Sequence, residues 1–146
     1  MSTATASDDA LATILLCSRL GLDRAAAERP LDVREWNALA RTLDASPWGR
    51  PRALLGRPPA EIAEALSLEQ DLAGRVARLL DRGVQVAGEL ERLASRGIWA
   101  LTRADDGYPR RLVARLRDRR PPVLFGAGPV GLLDRGGVAV VGSRGM

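Results

Sequence analysis

Lysine and histidine are both missing from this chain of 146 residues, and all 22 basic side chains are arginine. Without lysine, these residues hold no Walker-type P-loop and no Schiff-base nucleophile. Without histidine, they lack the commonest general base and metal ligand. A single cysteine, Cys17, excludes an internal disulfide and suits a reducing compartment. It lies in the apolar run 11–17 with no partner base near it in sequence, so a buried small hydrophobe is expected rather than a nucleophile. Aromatic residues are only 3% of the chain while Ala, Leu and Arg dominate, a mix that favours helices over a β-sandwich. The run 11–17 is too short to span a bilayer, and the start, Met1 to Asp9, is polar with no positive n-region. The expectation is a soluble, cytoplasmic protein with no membrane partner.

The net charge of +4 is unevenly placed. Residues 1–102 hold 13 arginines against 14 acids, whereas 103–120 hold seven, Arg103, Arg110, Arg111, Arg115, Arg117, Arg119 and Arg120, against Asp105, Asp106 and Asp118. A local basic cluster hints at a polyanion. Charge alone favours a solvated face, or pairing with the three nearby acids.

Helical patterning covers residues 9–97. Leu11, Ile14, Leu15 and Cys17 give a helix from about Asp9 to Leu20, stopped by Gly21. At the next start, Asp32 and Glu35 have capping-box spacing, and Val33, Trp36, Leu39, Ala40 and Leu43 share one face, making Trp36 a core anchor. A Pro- and Gly-rich connector over 46–59, with a turn near Ala53 to Leu55, leads to a helix from Pro58 to Leu66. Ser67, with Gln70 three residues on, is the expected cap of a helix whose inner face carries Leu68, Leu72, Val76, Leu79 and Leu80 and which Gly83 ends. Gln85 to Arg96 forms the last helix, with Val86, Leu90 and Leu93 inward. Trp36, Leu39, Leu72, Val76, Leu79 and Leu90 are the expected buried set.

After Gly97 the pattern changes. Ile98 to Thr102 reads as a strand, Tyr108-Pro109 as a turn, Pro109 to Leu116 as a short basic helix and Val123 to Phe125 as a second strand. A helical turn at Val130 to Leu133 precedes Val138 to Val141, a β-branched run suited to a strand buried on both faces of a parallel sheet. Gly126, Gly128 and Gly131 match G-x-G-x-x-G, but Gly136-Gly137 interrupts after five residues, too soon for a Rossmann crossover helix, so a connecting turn is preferred to a dinucleotide site. Gly142, Ser143 and Arg144 are better placed, just past an apolar strand, where a close backbone, a hydroxyl and a guanidinium fork suit phosphate. Alone, that tripeptide is a weak signal.

Three segments in order resemble the DprA/Smf family of DNA-processing proteins. They are Gly107-Tyr108-Pro109-Arg110-Arg111-Leu112, then Pro121-Pro122-Val123-Leu124-Phe125 with Gly128, then Leu132-Leu133 with Val138-Ala139-Val140-Val141-Gly142-Ser143-Arg144. The resemblance covers roughly residues 98–146; residues 1–97 match only in general character. It implies a non-enzymatic, cofactor-free protein that binds single-stranded DNA and helps load the RecA recombinase in natural transformation and DNA recombination, with a homodimer in full-length members. Gly142, Ser143 and Arg144 fall at the family's phosphate-contacting pocket, and Arg110, Arg111 and Arg115 are candidate auxiliary contacts. The expected fold is of α+β/α/β class: a disordered start over 1–8, an all-helical module over 9–97, and the first strands of an incomplete Rossmann-like domain over 98–146. The family's domain runs well beyond the residues present here, so the chain is expected to be a fragment or split gene, with weaker DNA binding than a full-length member. The alternatives are a helical protein-interaction module without DNA binding and, third, a nucleotide-binding Rossmann enzyme.

Overall fold

The computed structural model describes residues 6–138, which form six α-helices and a two-stranded antiparallel sheet. Helix α1 (Asp8–Cys17) is the centre. Ala10, Ala12, Thr13, Ile14, Leu15 and Leu16 are all buried, so the helix is covered on several sides rather than on one stripe. It touches α2 (Val33–Asp44), α4 (Gln70–Leu80), α5 (Gly83–Ser95), the 3-10 turn Pro51–Leu54 and both strands, β1 (Ile98–Thr102) and β2 (Val123–Ala127). Helix α3 (Pro59–Leu66) packs on α4. No helix among the described residues is long and apolar enough to cross a membrane.

Helix α1 starts earlier and stops sooner than its pattern predicts. The Ser7 side chain accepts from the Ala10 amide at 3.1 Å and opens the helix at Asp8, so 7 and 8 belong to an ordered cap. Ser18 turns extended after Cys17 and donates from both its amide (3.0 Å) and its hydroxyl (2.7 Å) to the Ile14 carbonyl. Gly21 comes later, at φ +74°, where a Cβ would meet Val86 Cγ2 at 3.1 Å. The capping box of α2 forms as predicted: Asp32 accepts from the Glu35 amide at 2.8 Å, and Glu35 accepts from the Asp32 amide at 3.1 Å.

Two helix boundaries differ from the sequence reading. Ser67 does not cap α4; it ends α3 in the left-handed conformation (φ 51°, ψ 44°), and Leu68 N donates back to the Ala63 carbonyl at 3.0 Å. That closure satisfies an end carbonyl of α3 and tucks Leu68 against the core, which outweighs a cap on the next helix. Gly83 does not end α4; it is the first residue of α5, because the corner at Asp81 and Arg82 keeps negative φ and needs no glycine. Trp36, Leu39, Val76 and Leu79 are buried as expected, whereas Leu72 and Leu90 are half-buried at the edge of the same cluster.

An ion pair ties α4 to the start of α2. Arg75 donates to both Glu35 carboxylate oxygens, at 2.5 and 3.3 Å, and to the carbonyls of Arg29 and Pro30, both at 2.8 Å. Hydrogen bonding from Arg75 holds the Glu35 carboxyl below its ordinary 4.5, against a partial opposing effect of burial. Because the folded-state value is depressed, this contribution is present above the unfolded value and is lost as pH falls through the folded one. The urea midpoint is expected to drop as pH is lowered from 5, and Glu35→Gln should flatten that drop. An identical pH profile in the variant would show that other carboxylates cause it.

The strands β1 and β2 pair with Thr102 opposite Val123 and Ile98 opposite Ala127. Ala100 and Val123 pack against the helical core, so the sheet rests on the same cluster that α1 organises. Trp99 lies across Gly126, where a Cβ would come within 2.5 Å of the indole, and its Nε1 donates to the Gly128 carbonyl at 2.8 Å. Gly128 turns the chain at φ +89°. Indole packing and a backbone turn thus account for the first two glycines of the G-x-G-x-x-G pattern. The run from Val138 begins outside both strands: Val138 is 93% exposed, and residues 139–141 lie outside the described residues.

Candidate nucleic-acid interface

The basic stretch is built on a rigid scaffold. Past β1, the Asp105 carboxylate accepts from the Thr102 amide (2.6 Å) and hydroxyl (2.9 Å), closing a tight turn around a fully buried threonine. Tyr108 is buried, and its hydroxyl donates to the Pro121 carbonyl at 2.7 Å. That bond joins the Tyr108-Pro109 and Pro121-Pro122 segments directly, so these motif residues brace the hairpin rather than face solvent. Burial raises the Tyr108 phenol above its ordinary value, against the charges of Arg103 and Arg120.

Helix α6 (Arg110–Leu116) follows Pro109 and presents Arg110, Arg111 and Arg115 to solvent, while Leu112 and Leu116 are half-buried. The Arg111 amide donates to Asp134 at 3.1 Å, anchoring α6 to the 3-10 turn Val130–Asp134. Arg117 and Arg119 are also exposed. Among the described residues, none of these five arginines forms an ion pair. Of the two bland readings, pairing with Asp105, Asp106 and Asp118 therefore does not occur, and the guanidinium groups stand in solvent.

Arg103 belongs to the same charge cluster in sequence but plays a different part. It donates to the Asn37 side-chain oxygen at 2.6 Å, to the Asp118 carbonyl at 3.3 Å and to the Arg120 carbonyl, while Asn37 Nδ2 donates to the Asp118 carbonyl at 2.7 Å. Arg103 and Asn37 thus strap the turn over 117–120 to α2. Burial, then the neighbouring Arg120 charge, lowers the Arg103 pKa from its ordinary value. Sequence reasoning counted Arg103 as surface charge and missed Asn37 entirely; nothing local to Asn37 signals a partner 81 residues away.

Cys17 is half-buried against the core, and burial pushes its thiol pKa well up, with Arg103 partly opposing, so it is held protonated. The expected phosphate contacts Gly142, Ser143 and Arg144 lie outside the described residues. No protein-family model, curated protein or solved structure matches this chain.

Proposed function

We propose that this chain is a non-enzymatic, DprA/Smf-like protein that binds single-stranded DNA through its phosphate backbone. One observation supports this most: five exposed arginines, Arg110, Arg111, Arg115, Arg117 and Arg119, within ten residues and without acidic partners among the described residues, on α6 and on the following turn, which Arg103 and Asn37 hold. Such a patch neutralises phosphates irrespective of sequence and loses affinity steeply with salt. The family resemblance extends the proposal to a Rossmann-like character for residues 98–146, to a phosphate contact at Gly142, Ser143 and Arg144, to homodimerisation, and to RecA loading in the cytoplasm. The second reading, a helical protein-interaction module, has less to recommend it. Between 9 and 97 only Val84 is an exposed large apolar side chain, whereas protein interfaces centre on apolar and aromatic anchors.

Replacing Arg110, Arg111 and Arg115 together by glutamine is expected to weaken oligo-dT binding by more than about ten-fold at low salt. It should also reduce the slope of log affinity against log salt by about 2, since each lost phosphate contact on a single strand removes about 0.7. Fluorescence polarisation across a salt series measures both. Unchanged affinity and slope would remove α6 from the interface.

A further inference from the structure

Where the described chain takes a positive φ, it uses glycine five times, at Gly21, Gly49, Gly56, Gly97 and Gly128. Two other residues do so, Ser67 and Arg117. Ser67 sits in the ordinary left-handed helix cap, at ψ 44°. Arg117, at φ 50° and ψ −120°, does not; this is the first-corner conformation of a type II′ turn, which belongs to glycine because a Cβ crowds the backbone there. The conformation is imposed from several directions. The Arg117 amide donates to the Val113 carbonyl at the end of α6. Its carbonyl accepts from the Arg120 amide at 3.2 Å and from Arg120 Nη1 at 2.7 Å. The next carbonyl, of Asp118, is held by Asn37 and Arg103. Glycine would meet all these backbone demands without strain, yet the position carries a long cation.

The side chain lies where that cation has a use. Arg115, Arg117 and Arg119 line an open groove of about 450 Å³ with Ala114, Leu116 and Asp118, so three of its six lining residues are arginine and one is acidic. Backbone strain that the surrounding structure over-determines is characteristic of binding sites.

We propose that Arg117 is a phosphate-binding residue of this groove, held in a strained backbone so that its guanidinium, with those of Arg115 and Arg119 on the same short stretch, meets the phosphodiester backbone of single-stranded DNA. This rests on the DNA-binding reading above and assigns its central contact to the turn after α6.

The test compares wild type, Arg117→Gly, Arg117→Lys and a charge-matched control, Arg92→Gln on α5, by thermal melting and by oligo-dT titration over a salt series. The glycine variant is expected to melt at the same temperature or higher, yet to bind about five-fold more weakly, with the salt slope reduced by about 0.7. The lysine variant should retain binding within about two-fold, because a cation at the same place still meets a phosphate, and the control should match wild type. Glycine-variant binding equal to wild type would overturn the assignment of Arg117 while leaving the DNA-binding reading intact. A glycine variant that melts several degrees lower would overturn the strain premise and with it this proposal. Failure of the wild-type chain itself to bind oligo-dT would overturn both.

Discussion

Arg82→Ala is expected to destabilise the protein by about 3 kcal/mol or more, with Arg82→Met recovering little of the loss. Arg82 is only 8% exposed and forms no ion pair among the described residues. Its guanidinium instead donates to backbone carbonyls: Leu79 at 3.0 Å, Ser18 at 3.4 Å, and Leu15 and Leu20. The last carbonyls of a helix have no partner within it, and together they carry a partial negative charge. At the end of α1, Ile14 O is satisfied by Ser18, Leu16 O accepts from the Leu31 amide at 2.8 Å, and Leu15 O is left to Arg82. Burial, and then the charge of Arg19, pulls the Arg82 pKa down from its ordinary value, but the carbonyls around it favour the charged form. Alanine removes the donors and leaves buried carbonyls unsatisfied. Methionine restores volume and apolar contact but no donors, so a large loss in both variants identifies hydrogen bonding rather than packing as the cause. Thermal or urea unfolding measures it; a methionine variant as stable as wild type would refute the capping account.

Trp36→Ala is expected to cost about 3–5 kcal/mol, the range for removing a large aromatic from a core. Trp36 is 4% exposed and belongs to the main hydrophobic cluster. It also lines a cleft of about 320 Å³ with Asp9, Thr13, Arg50 and Arg103. Removing the indole opens that polar cleft to the cluster and exposes apolar surface beneath it to water. Trp36→Phe should recover at least half of the loss, since it restores most of the buried ring. A loss below about 1 kcal/mol for alanine would mean that the site collapses around the gap or that Trp36 does not anchor the core.

Much of the architecture was legible because local chemistry and global packing agree. Asp32 and Glu35 announced the start of α2 by their spacing, and Ile98 to Thr102 announced β1 by β-branched and aromatic content after Gly97. Errors arose where two local signals competed for one residue. Ser67 has the chemistry of an N-cap but was needed to close α3, and Gly83 reads as a stop but opens α5. The basic patch was visible as composition; its geometry was not. Arg103 and Arg117 look alike in sequence, yet one is an internal strut and the other stands in a groove.

By itself, the sequence determined the helix-then-strand order, the anchoring role of Trp36, the concentration of positive charge over 103–120, and the exclusion of lysine- and histidine-based chemistry. Those properties follow from residue identity and short-range spacing. Only the tertiary structure decided which arginines became structural: Arg75 holding Glu35, Arg82 closing α1, and Arg103 strapping the basic turn to Asn37. The reason is physical. Each of these guanidinium groups finds at least one partner 40 or more residues away, and a long cation that is solvated in the unfolded chain becomes a strut only when folding brings carbonyls and carboxylates around it.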